Sequence, residues 1–153
     1  AVQMLSTPDV ARNLERAAAL VAEAAAAGAE LVGLPEYFCL MGRDDRDKLA
    51  HAEPLGDGPI QRMLSDTARR HGLWLAGGTL PLAIEGDAEH ARNTTLVFGP
   101  DGARVARYDK IHLFRFDDGE RRYDEAATLA PGREPVAFTA TDRAGHAWRV
   151  GLS

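Results

Sequence analysis

Three residues have the types and settings to do chemistry together: Glu36, Lys110 and Glu125. Glu36 lies in LVGLPEYF (31–38), just past an apolar run of Leu31, Val32 and Leu34 that reads as a buried strand. Pro35 cannot donate to a sheet ladder and should end that strand. A carboxylate among Leu34, Pro35, Tyr37 and Phe38 at a strand end suits a general base; an ordinary loop acid in a salt bridge is the alternative. Lys110 sits in YDKIHLF, either as a snorkelling surface lysine or as a fixed cation near a site, and Glu125 sits in RRYDEAATLAPG, where a solvated loop acid is the plain reading. Together they could serve acyl transfer, with a base, a cation for developing negative charge, and a second acid to position them.

A nucleophile is harder to find. Cys39 is the only thiol, three residues past Glu36, but FCLM is an apolar context in which a free cysteine is most often a small buried hydrophobe. No serine stands in a G-x-S-x-G elbow, and the histidines show no H-E-x-x-H spacing. His112, with apolar residues on both sides, reads as a structural histidine rather than a base.

The elements that must position these groups follow from the patterning. AVQM reads as the remnant of a first strand. Thr7 as N-cap and Pro8 at the first helical position start a helix over 9–27, with Val10, Leu14, Ala17, Ala18, Val21 and Ala25 on its inner face and Gly28 ending it. Residues 44–52 read as a short charged helix or lid, and EPLGDGP as a turn cluster. A second amphipathic helix is predicted over 59–71, with Ile60, Met63, Leu64 and Thr67 inward and Gly72 closing it. LWLAGGTLPL (73–82) reads as another buried strand whose glycines mark a close approach of backbone or ligand, not a nucleotide fingerprint. From Asn93 onward two hairpins are expected, one turning at PDG and one at TDRAG. The order predicts an α/β fold with helices on one face of a mixed sheet and the other face needing a partner layer.

Composition bounds the function class. The 153 residues suit one domain with a real core, at 45% apolar and 27% charged residues. A formal charge of −5 without basic blocks favours neither nucleic acid nor an anionic membrane. No apolar run reaches a membrane span, no signal peptide opens the chain, and a single cysteine leaves no internal disulfide framework. A cytoplasmic protein is expected. Both ends read as cut, because the chain opens on AVQM without an initiating Met and closes within an alternating run, HAWRVGLS.

Taken in register, several blocks resemble the nitrilase superfamily of carbon–nitrogen hydrolases: GAELVGLPEYF, GDGPIQ, LWLAGGTLPL, RNTTLVFGPDG, ARYDKIHLF, RYDEAATLAPG and the final VGLS. The run from FCLMGRDDRDKLAHAEPLGDGPIQ to GGTLPL is similar to the branch that hydrolyses deaminated glutathione, close to the ω-amidases. The resemblance implies an αββα sandwich, of which residues 1–153 supply the N-terminal half as a single truncated hydrolase domain. It implies that Glu36 is the base, Lys110 the cation that stabilises the tetrahedral intermediate, and Glu125 the supporting acid. It also implies a cysteine nucleophile two residues beyond a VGLS segment, past Ser153, so that residues 1–153 alone should not turn over. No metal or organic cofactor is expected, the partner is a small carboxylated amide, and relatives assemble as homo-oligomers. Arg115 stands where relatives usually carry an acid, and FDDGERR looks a few residues short of the usual loop. Two other readings remain: a noncatalytic scaffold or binding domain on the same fold, and another superfamily branch such as a nitrilase or carbamoylase.

Overall fold

A computed structural model describes residues 1–153. Helix α1 (Val10–Ala26) leads to strand β1 (Leu31–Gly33), a single-turn helix α2 (Asp47–Ala50) and helix α3 (Pro59–His71). Strands β2 (Trp74–Ala76), β3 (Leu80–Ile84), β4 (Asp87–Phe98) and β5 (Arg104–Asp109) follow, then two hairpins, β6 (Arg115–Asp117) with β7 (Arg122–Asp124) and β8 (Val136–Thr141) with β9 (Ala147–Leu152).

The twelve-residue β4 is the spine of a five-stranded mixed sheet. On one side its first half pairs antiparallel with β3 and its end with β2, which in turn pairs parallel with β1; on the other side it pairs antiparallel with β5. Period-two alternation sorts the side chains between two layers. Val32, Leu75, Leu96 and Phe98 point to the helices, where they pack with Ala17 and Val21 of α1 and Ile60, Leu64 and Ala68 of α3. The intervening Trp74, Ala76 and Val97 face the other way, against Phe138 and Ala140 of β8 and Val150 and Leu152 of β9. The β8–β9 hairpin thus covers part of the sheet face that the sequence leaves in need of a partner.

Helix α3 has the bounds its periodicity predicts, with Gly72 in the left-handed conformation closing it. Its N-terminal amides are satisfied by a buried acid from the preceding turn: Glu53 accepts from the Ile60 amide at 2.6 Å and the Gln61 amide at 3.1 Å. Helix α1 starts later than predicted. Its cap is Asp9, which accepts from the Arg12 amide at 3.1 Å, because the Thr7 hydroxyl is engaged with Asn13 and the Asp9 amide. Asn13 sits on the inner face unannounced by the apolar pattern, and its amide is satisfied by the carbonyls of Thr7 and Cys39.

Other expectations are corrected. LWLAGGTLPL is not one strand but two, β2 and β3, separated at Gly77–Gly78–Thr79 and docked on different parts of β4. Only Asp47–Ala50 of the 44–52 segment is helical. AVQM forms no strand, although the Val2 amide donates to the Gly33 carbonyl at 2.9 Å. Strand β4 begins at Asp87 rather than Asn93, since the charged and polar side chains of Asp87, Glu89, His90 and Arg92 hide the alternation there. No helix is long and apolar enough to cross a membrane.

Candidate functional site

The site forms where β1 and β5 end beside the middle of β4. Strand β1 runs out through Leu34, whose amide still donates to the Ala76 carbonyl at 3.0 Å, and Pro35 then stops the ladder. Glu36 follows, and Tyr37 takes φ +47°, a left-handed conformation that costs a non-glycine residue about 1–2 kcal/mol. The turn is held by the break between β2 and β3. The Tyr37 amide donates to the Thr79 hydroxyl at 2.9 Å, and Gly78, itself at φ +54°, lies so close that a Cβ there would be 2.0 Å from the Pro35 carbonyl oxygen. The glycine pair therefore marks a close approach of backbone, one of the two alternatives its sequence offers.

Lys110 is the first residue past β5. Its amide donates to the Asn93 carbonyl on β4, and its own carbonyl accepts from Gly132, both at 2.8 Å. Glu125 opens a single 3-10 turn (Glu125–Ala127) capped by Asp124. Its backbone amide donates to the Phe114 carbonyl at 3.0 Å, and its carboxylate accepts from the Phe114 amide at 2.7 Å, so the acid is fixed to the segment that follows Lys110.

These three connections bring the predicted residues together. Lys110 Nζ lies 3.1 Å from Glu36 Oε1, and 3.2 and 3.1 Å from Glu125 Oε1 and Oε2. The Glu36 side chain is 53% exposed and that of Glu125 only 9%, so the cluster grades from an accessible carboxylate to a sequestered one across the ammonium. Burial pulls the lysine down, but the hydrogen bonds and charges of Glu125 and Glu36 outweigh it and hold Lys110 above the ordinary lysine range. Lys110 is thus a fixed cation and not the snorkelling side chain of the plainer reading.

Glu36 and Lys110 line a cleft of about 410 Å³, shared with Tyr108 of β5, the last residues of β9 from Val150 to Leu152, and Ser153 just past it. A second hollow of about 310 Å³ lies beyond Tyr37, between Leu40, Lys48 and Tyr123. Lys48 is buried there, 3.3 Å from Asp45, with its ammonium 5.6 Å from the centre of the Tyr37 ring. Burial, with Glu125 and Glu36 next, raises the Tyr37 phenol above its usual range, and its buried hydroxyl has no hydrogen-bond partner.

Cys39 is fully buried; burial pushes its thiol up to about 12, and its Sγ lies 3.8 Å from the Thr79 carbonyl oxygen. It is a packing residue, as FCLM suggests. His112 is exposed and stands outside the cluster, and Arg115 lies 3.6 Å from Asp124. No group of three His, Cys, Asp or Glu side chains is arranged to hold a metal ion. Sequence reasoning missed Asn93, whose Nδ2 lies 2.7 Å from Glu36 Oε1. Its signal is faint: a polar residue in the buried half of a strand, three positions before the apolar run begins at Leu96.

The pattern of the carbon–nitrogen hydrolase family matches residues 1–153. A deaminated glutathione amidase of Synechocystis sp. is 34% identical over 140 residues, which are 90% of this chain and 51% of the relative. An omega-amidase of Xenopus tropicalis is 41% identical over 133 residues, 86% of this chain and 46% of the relative. The chain spans about half the length of the curated relatives it matches. Among solved structures, Nit3 of Saccharomyces cerevisiae, a member of the nitrilase superfamily, superposes with a TM-score of 0.72 at 28% identity, over 86% of this chain and 46% of that one.

Proposed function

The chain belongs to the carbon–nitrogen hydrolase family, and from that membership we propose that residues 1–153 supply the base, the cation and the supporting acid of an amidase acting on a small carboxylated amide such as deaminated glutathione. Its mixed α/β architecture is about half of the nitrilase-type αββα sandwich. The observation that carries the proposal is the carboxylate–ammonium–carboxylate cluster of Glu36, Lys110 and Glu125, with Glu36 and Lys110 at the wall of an open cleft. The names of the relatives, amidases for deaminated glutathione and ω-amides, support the substrate class.

In this reading the nucleophile is a cysteine that follows Ser153. Strand β9 carries the chain end into the same cleft as Glu36 and Lys110, while Cys39, buried and held as a neutral thiol, faces away from that role. Glu36 removes the thiol proton as the sulfur attacks the amide carbon; the carbon–nitrogen bond breaks, and the same carboxyl returns the proton to the leaving ammonia. Lys110 stabilises the oxyanion of the tetrahedral intermediate, and Glu125 keeps it charged and aimed. Water, deprotonated by Glu36, then attacks the thioester carbon; the carbon–sulfur bond breaks, the acid leaves, and Glu36 returns the proton to the cysteine sulfur. The roles need no metal or organic cofactor. We further read residues 1–153 as part of one hydrolase domain in a cytoplasmic protein. The exposed Trp148 and Leu31, near the β8–β9 hairpin, support association with a second copy.

The test is ammonia release from deaminated glutathione and α-ketoglutaramate by two proteins, residues 1–153 and the complete gene product. Turnover is expected only in the second, and it should vanish in Glu36→Gln, Lys110→Met and the variant lacking the cysteine after Ser153. Turnover by residues 1–153 alone would overturn the assignment of the nucleophile.

A further inference from the structure

Asn93 is 1% exposed, yet its side-chain amide makes one hydrogen bond, from Nδ2 to Glu36 Oε1 at 2.7 Å, and its Oδ1 is buried without a partner. An asparagine amide has two donors and an acceptor with two lone pairs, so this residue is poorly satisfied as a core group. Its orientation is forced. A carboxylate only accepts, so the opposite amide rotamer would set two oxygens against each other. The Asn93 backbone carbonyl meanwhile accepts from the Lys110 amide at 2.8 Å, so one residue registers both the acid and the cation.

We infer that Asn93 is the positioning residue that ties down Glu36 Oε1 and leaves Oε2 as the oxygen presented to the cleft for proton transfer. Oε1 receives two donors, Asn93 Nδ2 at 2.7 Å and Lys110 Nζ at 3.1 Å. Oε2 receives none, although Glu36 lines the cleft and its side chain is half exposed. A carboxylate held by Lys110 alone, through a single contact, could rotate about that contact and exchange its two oxygens. Pinned from behind by a residue of the sheet, it cannot, and the free oxygen keeps one direction. The unpartnered Oδ1 shows that the fold gains little from this asparagine, since a buried acceptor without a donor destabilises the folded state.

The inference rests on the reading of Glu36 as the base, and the experiment separates the two. The complete gene product is compared with Glu36→Gln, Asn93→Leu and Asn93→Asp for turnover and thermal melting. Leucine matches the shape of asparagine, removes the donor and also removes the orphaned acceptor. Asn93→Leu should lose roughly tenfold to a hundredfold in kcat, as for a misplaced reacting group, with KM unchanged and a melting temperature no lower than wild type. If Asn93 served only the fold, melting would drop while kcat per folded molecule held, and the inference would be overturned. Should Asn93→Leu not fold, Asn93→Asp keeps a polar side chain of the same size but offers Glu36 a carboxylate instead of a donor. The same fall in kcat at constant KM is expected, and a retained kcat would overturn the inference. Turnover surviving in Glu36→Gln would remove the base itself; turnover lost in Glu36→Gln but kept in both Asn93 variants would remove only the role of Asn93.

Discussion

Glu125→Gln is the sharpest perturbation of the cluster, because it changes charge and donor pattern with almost no change in volume. Both oxygens of Glu125 accept: Oε2 from the Phe114 amide at 2.7 Å and from Lys110, and Oε1 from Lys110. A glutamine has one acceptor. If its oxygen faces Phe114, its NH2 faces the lysine ammonium; if it faces Lys110, its NH2 meets the Phe114 amide. Either rotamer sets donor against donor in a place only 9% exposed. The gross attraction between unit charges 3.1 Å apart is about 5 kcal/mol at an effective dielectric of 20. Desolvation offsets part of this, and Lys110 keeps Glu36 at 3.1 Å, so the net destabilisation should be about 2–3 kcal/mol. For a complete protein about twice the length of residues 1–153 that lowers the melting temperature by about 3–6 °C. A lysine no longer aimed should cost about a hundredfold to a thousandfold in kcat, the scale of losing one oxyanion donor. The assay is steady-state ammonia release by the complete gene product, beside scanning calorimetry. In a Lys110→Met background the same change should cost little more, since both act through one cation. Glu125→Gln with kcat within threefold of wild type and an unchanged melt would refute the reasoning.

Two further expectations follow from neighbouring geometry. Gly78→Ala puts a Cβ 2.0 Å from the Pro35 carbonyl at a left-handed φ, so it should destabilise by more than the roughly 1–2 kcal/mol of that conformation alone and displace Glu36; equal urea midpoints for variant and wild type would contradict this. Cys39, with its thiol pushed up to about 12, should have about one thiolate in ten thousand at pH 8 and resist iodoacetamide until the protein unfolds; rapid native labelling would show that burial is not its setting. The sign of its linkage is fixed too: the native state holds its proton more tightly than the unfolded chain. Its contribution to stability is therefore complete below the unfolded thiol value of about 8.5 and lost as pH rises toward the folded one, a slope that Cys39→Ala should lack in denaturation measured from pH 7 to 11.

Much of this arrangement is legible in the chain because its devices are local. Pro35 ends β1 by lacking an amide proton, and apolar periodicity gives α3 its bounds at Pro59 and His71. The joining of Glu36, Lys110 and Glu125 is not local: residue chemistry offered them as one possible acyl-transfer group while leaving each open to a bland reading, and only the resemblance of successive blocks assigned their separate roles. Three features escaped for physical reasons. The cap at Asp9 depends on Asn13 already occupying Thr7. The split between β2 and β3 depends on how closely Gly78 approaches Pro35, which no periodicity encodes. The β6–β7 hairpin is made of exposed, mostly charged residues that read as loop, and Phe114, just before β6, packs its ring 5.7 Å from that of Tyr123 on β7.

The contact between Lys110 and Glu36 joins residues 74 positions apart, and that between Asn93 and Glu36 joins residues 57 apart. During synthesis at about 5–20 residues per second, the segment bearing Glu36 therefore leaves the ribosome about 4–15 s before Lys110 arrives. The parallel partner β2 emerges first and β4 only later, so a newly made chain spends seconds with β1 unpaired, and β2 then waits with one edge open until the end of β4 reaches it. Until β4 arrives, the β1–β2 pair therefore presents an open strand edge, the kind that invites edge-to-edge association between nascent chains.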